Sequence, residues 1–430
     1  MAQPSVLKGL QIANDIPYRD PDSLFALAGA NGLGNSAFLP IGDRLLERHM
    51  LLLGGAATGK TNLLLHLARN LRANLSPQDA LVIFDATGAY HAALCQQGDV
   101  VIAQDERAQA ACWNLFEELP DNDRLLEEAS ALCDLLFAAR IAGAARPLYP
   151  TAARDLLMAL IVYLKRRGEP ELCNNHALRE LIDGFDAESM CEILQSEPEL
   201  RAYAYYLTDP EGERTQGVVA ALQQAARELL SGSFGAQGAL GMRSLVRARG
   251  GKAIFICYDA ACGALARPVY AALCDLCLRE ALSVREVTGH IYLLLDGVSV
   301  LPALPHLPDA LLLGREKGLR ALLSATGVSA LEDRYGAAFT AMLAAIGTTV
   351  AFCLHDRASR SYIKNLHGRH RVVESYHSAA QARGVVEQVV DEYVVGDEDL
   401  TALQTGESII AALHYPPFRF RAKPYGSTER

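Results

Sequence analysis

The sequence predicts an α/β fold, a mostly parallel sheet with helices on both faces, interrupted by an inserted all-α domain. Three observations carry that expectation. Short apolar runs recur between helical patterns, one of them enters a glycine-rich turn that opens into a leucine-patterned helix, and a long central stretch has helical periodicity without any strand-like run. With 430 residues, 50% of them hydrophobic, the chain can bury a large core.

The first element is the apolar run 49–53, followed by a glycine-rich turn and by leucines at helical spacing over 62–71: strand, loop, helix. A second strand-like run lies at 80–85, and others at 253–258, 291–296, 319–324 and 348–354. Their unbroken apolar character fits strands covered on both faces, as in a parallel sheet. Between the two groups, the stretches 123–140, 149–166 and 215–230 repeat at helical spacing. Tyr149, Pro150 and Thr151 make a helix start, and Lys165, Arg166, Arg167 and Gly168 a helix end. The expected division is 1–118 as the first part of the sheet domain, 119–247 as the insertion, 248–418 as the second part and 419–430 as a mobile tail.

A formal net charge of -10 excludes a surface that is basic throughout, so any contact with DNA needs a local patch. Three clusters could supply one: Arg243, Arg247 and Arg249; Arg315, Lys317 and Arg320; and Arg357, Arg360, Lys364, Arg369, His370 and Arg371. The ten cysteines are scattered, which fits a reducing, cytoplasmic setting, and no secretory signal opens the chain. Cys274 and Cys277 have C-x-x-C spacing but lie in an apolar helical stretch without a second pair, so they read as core. The run 342–354 is too short to span a bilayer and is broken by Gly347, Thr348 and Thr349, so the chain is expected to have no membrane span of its own.

The chemistry sits in Gly54, Gly55, Ala56, Ala57, Thr58, Gly59, Lys60 and Thr61, which match G-x-x-x-x-G-K-(S/T) between a strand and a helix. Glycines there let backbone N–H groups turn inward around phosphate oxygens at a helix N-terminus, and Asn62 extends the cradle. The pattern implies ATP or another nucleoside triphosphate with Mg2+: Lys60 on the β- and γ-phosphates, Thr61 on the metal. A second metal-side carboxylate should end a buried strand, and Asp85, Asp259 and Asp296 all qualify. The pattern alone does not choose among them; Asp296 follows the most uniformly apolar strand and is placed at the metal, with Asp85 as a partner further out. The next residue is Gly297, where many such ATPases carry a glutamate that orients water. Losing a positioned base costs about 10²- to 10⁴-fold in rate, so hydrolysis is expected to be slow unless Glu316, Glu332 or Asp333 reaches the site.

Taken together, these residues resemble the cytoplasmic part of the type IV secretion coupling proteins, hexameric ATPases that bring DNA or protein substrates to a conjugation channel. The likeness rests on His49-Met50-Leu51-Leu52-Leu53 into the loop, Asp85-Ala86-Thr87-Gly88, Trp113-Asn114-Leu115-Phe116, Ala152-Ala153-Arg154 and Thr215-Gln216-Gly217. It continues through Leu294-Leu295-Asp296, Leu304-Pro305-His306-Leu307-Pro308, Gly314-Arg315-Glu316-Lys317-Gly318-Leu319 and Tyr335-Gly336. The resemblance implies a RecA-like P-loop NTPase core, an all-α domain facing the cytoplasm, a homo-oligomeric ring, and Arg315 as a charge that touches nucleotide or a neighbouring subunit. It also implies single- or double-stranded DNA, a relaxase or secretion-machine proteins as partners, in the cytoplasm at a membrane complex. The sequence departs from the family in Asp296-Gly297 for Asp-Glu, in Asp85-Ala86-Thr87-Gly88-Ala89 for Asp-Pro-Lys-Gly-Glu, and in Ser324-Ala325-Thr326 where a glutamine is usual. Thr326 could still hydrogen-bond a phosphate or water. The family's N-terminal membrane helices are not represented.

Three functions are thus open from sequence: a coupling-protein ATPase, a nucleotide-binding module with little hydrolysis that recruits a partner, and a DNA-pumping motor of the FtsK-HerA class.

Overall fold

The structure, a computed structural model, describes residues 5–108, 112–261, 263–377, 385–412 and 414–426. Its strands are β1 (Ser5–Lys8), β2 (Phe25–Asn31), β3 (Ser36–Ile41), β4 (Met50–Leu53), β5 (Ala80–Asp85), β6 (Val100–Ala103) and β7 (Lys252–Cys257). They continue with β8 (Ile291–Leu295), β9 (Leu319–Ala325), β10 (Thr348–Ala351), β11 (Arg369–His377), β12 (Val385–Tyr393), β13 (Glu407–Ala412) and β14 (Phe418–Ala422). The chain forms two compact units, one of Met1–Leu75, Tyr292–Ser299 and Leu311–Arg430, the other of Ser76–Ile291 and Val300–Ala310.

The first unit carries the strand order β3-β2-β14-β13-β10-β4-β9-β8. β10, β4 and β9 are parallel and buried at every position, which is why β4 is an uninterrupted apolar run and β9 and β10 admit only polar groups that find partners, Arg320 and Ser324 in β9 and Thr348 and Thr349 in β10. Beyond β10 the sheet continues with antiparallel β13, β14, β2 and β3. The sequence reading passed over these four, because β2 is Phe-Ala-Leu-Ala-Gly-Ala-Asn, rich in small residues, and β14 alternates with period two as Phe-Arg-Phe-Arg-Ala. Residues 419–422, expected in a mobile tail, therefore form part of an inner strand: Phe418, Phe420 and Ala422 point into the core while β13 and β2 satisfy the backbone on both sides. Residues 427–430 of that expected tail lie outside the described residues. A separate sheet, β1-β11-β12, belongs to the same unit.

The second unit holds β5-β7-β6 and the helices. Among the described residues no strand lies between β6 and β7; the helices Leu125–Gly143, Leu148–Arg167, Asn175–Gly184, Ala187–Ser196, Glu213–Leu229 and Met242–Ala248 fill that stretch. Leu148–Arg167 is central, with ten buried residues including Leu156, Leu160 and Leu164, and ends at Gly168 with φ +67° after three basic residues. The expected boundaries at 118 and 247 fall inside this unit, because the helix Arg267–Ser283 packs on both Leu125–Gly143 and Met242–Ala248. Three buried glutamates bind those elements together. Glu118 accepts from Trp113 Nε1 at 2.8 Å, Glu128 pairs with Arg279 at 2.6 Å, and Glu280 pairs with Arg247 at 2.9 Å, while Arg243 bridges Glu128 and Glu280. Burial pushes the Glu118 carboxyl upward against the hydrogen bonds that favour its charge. Cys274 and Cys277 are fully buried, as a core reading requires.

Candidate functional site

β4 is Met-Leu-Leu-Leu and releases the chain at the carboxyl ends of β9 and β10. There residues 54–61 form a pinned loop. The Gly54 N–H donates to Ala325 O at 3.3 Å, the Gly55 N–H to Cys353 O at 3.0 Å, and the Gly406 N–H to Thr58 O at 2.9 Å. Gly59 has φ +113°, and a Cβ there would stand 2.9 Å from Gly406 Cα, so only glycine fits. The helix Lys60–Ala73 that follows has no side-chain cap, which leaves its first-turn N–H groups at the positive end of the helix dipole. The Lys60 ammonium folds back over the loop, donating at 2.7 Å to Gly54 O and at 2.7 Å to Gly55 O. Burial lowers its pKa, and the Asp296 carboxylate works in the opposite direction.

Asp296 follows β8 directly and is buried. Thr61 Oγ1 donates to Asp296 Oδ2 at 2.8 Å, Ser324 Oγ donates to Asp296 Oδ1 at 2.5 Å, and the Gly297 N–H donates to Ser324 Oγ at 2.8 Å. The other two aspartates behave differently. The Asp85 carboxylate accepts from the Thr87 N–H at 3.2 Å and the His91 N–H at 2.9 Å, and the Asp259 carboxylate from the Ala261 N–H at 2.8 Å. Each closes its own turn, whereas Asp296 meets a side chain of the loop helix. A hydroxyl and a carboxylate side by side form an all-oxygen pair, the donor type a hard cation such as Mg2+ accepts.

Strand direction places the remaining expected residues. β4 and β9 run parallel in register from Met50↔Leu322 to Leu53↔Ala325, so the loop and exposed Thr326 share one end of the sheet. Arg315 and Glu316 precede β9 and lie at the other end, roughly 20 Å of strand away. Arg315 pairs there with Glu47 at 3.0 Å, so it does not reach a nucleotide held by its own loop; of its two expected roles only contact with a neighbouring subunit is compatible with this placement. Glu316 is removed as a base for the same reason. Glu332 and Asp333 lie exposed on the helix Ser329–Tyr335, which leaves the loop's end of the sheet. Arg334, which the sequence reading missed, ties that helix to the segment after Asp296 by donating to Ser299 O at 2.6 Å and Val298 O at 3.3 Å. No local pattern marks it, because its acceptors are backbone carbonyls far away in sequence. Gly297 has φ +79°, a conformation that disfavours any residue with a Cβ.

The three basic clusters are largely neutralised within the chain. Arg243 and Arg247 serve Glu128 and Glu280, and Arg249 donates to Gln78 O at 3.1 Å. Arg320 is buried and holds Asp43 through bonds of 2.6 and 2.9 Å. Arg360 and Lys364 share Asp397, Arg371 pairs with Asp391 at 3.0 Å, and Arg369 stacks on Tyr393 with its guanidinium 4.6 Å from the ring centre. Arg357, Arg369 and Arg371 are the exposed arginines of that cluster.

A parallel sheet whose central strand feeds a glycine-rich loop and an uncapped helix, with an acid at the helix start from the end of the next strand but one, defines a P-loop protein with a RecA-like core. The family model for the type IV secretion-system coupling protein DNA-binding domain matches residues 34–412, and the chain belongs to that family. Among solved structures, it is similar to the bacterial conjugative coupling protein TrwB lacking its first 70 residues, in an unbound form, at 19% identity and a TM-score of 0.75 over 97% of this chain and 93% of that one. TrwB in complex with ADP and Mg2+ matches at 19% identity with a TM-score of 0.75 over 100% and 96%. VirB4 of Thermoanaerobacter pseudethanolicus matches at 15% identity with a TM-score of 0.58 over 96% and 99%. No curated protein sequence matches the chain. Among the described residues, no helix is long and apolar enough to cross a membrane.

Proposed function

We propose that this chain binds ATP with Mg2+ at residues 54–62 and works as a coupling-protein ATPase that handles DNA or protein cargo for a conjugation or type IV secretion machine. The observation that carries this reading is the 2.8 Å bond from Thr61 to Asp296, which sets a hydroxyl and a carboxylate beside Lys60 at one helix start. Backbone N–H groups of the loop bind phosphate oxygens, and Lys60 exchanges the carbonyls of Gly54 and Gly55 for the terminal phosphates. Thr61 and Asp296 hold the cation, which when bound neutralises phosphate charge. Ser324 keeps the Asp296 carboxylate turned toward Thr61. Support for the ligand comes from TrwB, which has been seen with ADP and Mg2+ and with non-hydrolysable ATP and GTP analogues.

The helices of 119–247 are assigned to the family's all-α domain, and ring assembly would bring Arg315, Thr326 and exposed Arg357 into play against a neighbouring subunit, nucleotide or DNA. Docking to a membrane complex, with a relaxase or other secretion protein as partner, belongs to the same reading. A second reading is favoured by one observation: Gly297, at φ +79°, offers no side chain to orient water, so the chain would hold ATP as a structural switch that recruits a partner. A steady-state ATPase assay with and without single-stranded DNA separates the two. Turnover of about 1 s⁻¹ or more, lost in Lys60→Ala, supports the motor. Tight ATP binding without turnover supports the switch.

A further inference from the structure

A cavity of about 550 Å³ lies wholly within the second unit, between the helices Leu125–Gly143 and Arg267–Ser283 and the segment 302–306, and shares no residue with the phosphate loop. That volume is in the range of small-molecule sites. Its body is apolar, with Leu132 and Leu135 from one helix, Leu276 from the other, and Pro302 and Pro305 from the segment. Polar side chains also reach its wall, and their hydrogen bonds leave an uneven remainder.

The carboxylates on the wall are already met from within the chain. Glu118 accepts from Trp113 and from the backbone N–H groups of Met242 and Arg243, Glu128 is shared by Arg124, Arg243 and Arg279, and Asp134 is held by Arg154. Asp275, fully buried, takes the His306 backbone N–H at 2.9 Å on Oδ1 and His306 Nδ1 at 2.6 Å on Oδ2. A carboxylate only accepts, so Nδ1 carries the proton and the ring is fixed by that bond. The donors are not used up. His306 Nε2, the ring corner away from Asp275, meets no partner among the described residues, and Arg279 gives one N–H to Glu128 out of a fork of five. Asp275 and Arg279 stand four residues apart on one helix and so share a face, which sets the imidazole held by Asp275 beside the guanidinium. The wall therefore asks for an acceptor at the end of an apolar body. A carboxylate answers both groups: the guanidinium fork matches its two oxygens, and a protonated imidazole donates to it through Nε2 while Nδ1 stays on Asp275. An ammonium head would have to displace a partner that one of the four acids already holds.

We propose that this cavity binds a small amphipathic carboxylic acid, its chain against the leucines and prolines and its carboxylate on Arg279 and His306. The assignment is independent of the P-loop reading, and its test is calorimetric titration of the nucleotide-free chain with hexanoate, octanoate, octanol and octylamine. Wild type should bind octanoate at least about tenfold more tightly than octanol or octylamine. It should prefer octanoate to hexanoate by about fifteenfold, or about fourfold for each of two methylenes. Ala138→Trp, at an exposed position of the lining, should weaken octanoate and octanol alike by about tenfold or more. His306→Asn, whose amide can keep the bond to Asp275 but has no counterpart of Nε2, and Arg279→Gln should each weaken octanoate about tenfold and leave octanol within about twofold. No saturable binding of octanoate, equal affinity for octanoate and octanol, or no gain over hexanoate overturns the proposal on the wild-type chain alone. Unchanged octanoate affinity in Ala138→Trp or in His306→Asn, each folded by its melting curve, overturns it as well.

Discussion

The two ends of β4 are built for different purposes. At its carboxyl end the polar groups of Lys60, Thr61 and Asp296 bond mainly to one another and to loop carbonyls, partners that phosphate and a cation can replace. At its amino end the polar groups are sealed. His49 is fully buried with φ +60°, its Nδ1 accepting from the Ala321 N–H at 3.1 Å and its Nε2 donating to Leu311 O at 3.1 Å, while Arg320 is locked onto Asp43. One short strand thus separates chemistry from structure, as open α/β sheets generally do by binding ligands at the carboxyl ends of their strands.

Four substitutions and a change of pH would break or sharpen that contrast. Lys60→Ala should abolish tight triphosphate binding, a loss on the order of 10²- to 10³-fold in titrations with labelled ATP, with the melting temperature of the unliganded chain nearly unchanged. His49→Leu should do the reverse, lowering unfolding stability by about 3 kcal/mol in urea melts because it orphans the Ala321 N–H and the Leu311 carbonyl, while the folded fraction binds ATP normally. Acid should act through the same residue. Burial lowers the His49 pKa to about 4, so between pH 6.5 and 4 the unfolded chain takes up a proton that the native chain refuses. Stability present above pH 6.5 should drain by roughly 3 kcal/mol across that window, and His49→Leu should show a correspondingly flatter profile. Gly297→Glu should cost about 1 kcal/mol for its left-handed backbone and fail to raise turnover, because strain would re-aim the added carboxylate. Arg315→Ala, removing a half-exposed pair with Glu47, should change monomer stability by no more than about 0.5 kcal/mol.

The same contrast explains what could be read from sequence. Strands buried on both faces announce themselves as mostly apolar runs, so β4, β5, β7 and β8 were legible, β9 and β10 were legible despite Arg320, Ser324, Thr348 and Thr349, and the loop was legible from its own spacing. β2, β13 and β14 were not, since antiparallel strands of small or alternating residues look like loops until their partners are known. Within the site, Asp296 could be preferred over Asp85 and Asp259 only on the apolarity of its strand; what distinguishes it is a hydrogen bond to a residue 235 positions away. Arg320 looked like part of a phosphate-binding patch for the same reason: its partner, Asp43, lies 277 positions upstream.

The placement of β14 between β13 and β2 also has a consequence for biosynthesis. β14 is translated almost 400 codons after its neighbour β2, an interval of about 20–80 s at ordinary elongation rates. Until then the hairpin of β2 and β3 has an open edge, and Asn62 and His66 have no Lys423 or Tyr425 to hold. A nascent chain therefore carries its glycine-rich loop without the strand, and the segment after it, that complete its surroundings until β14 has been made and slots in between β13 and β2.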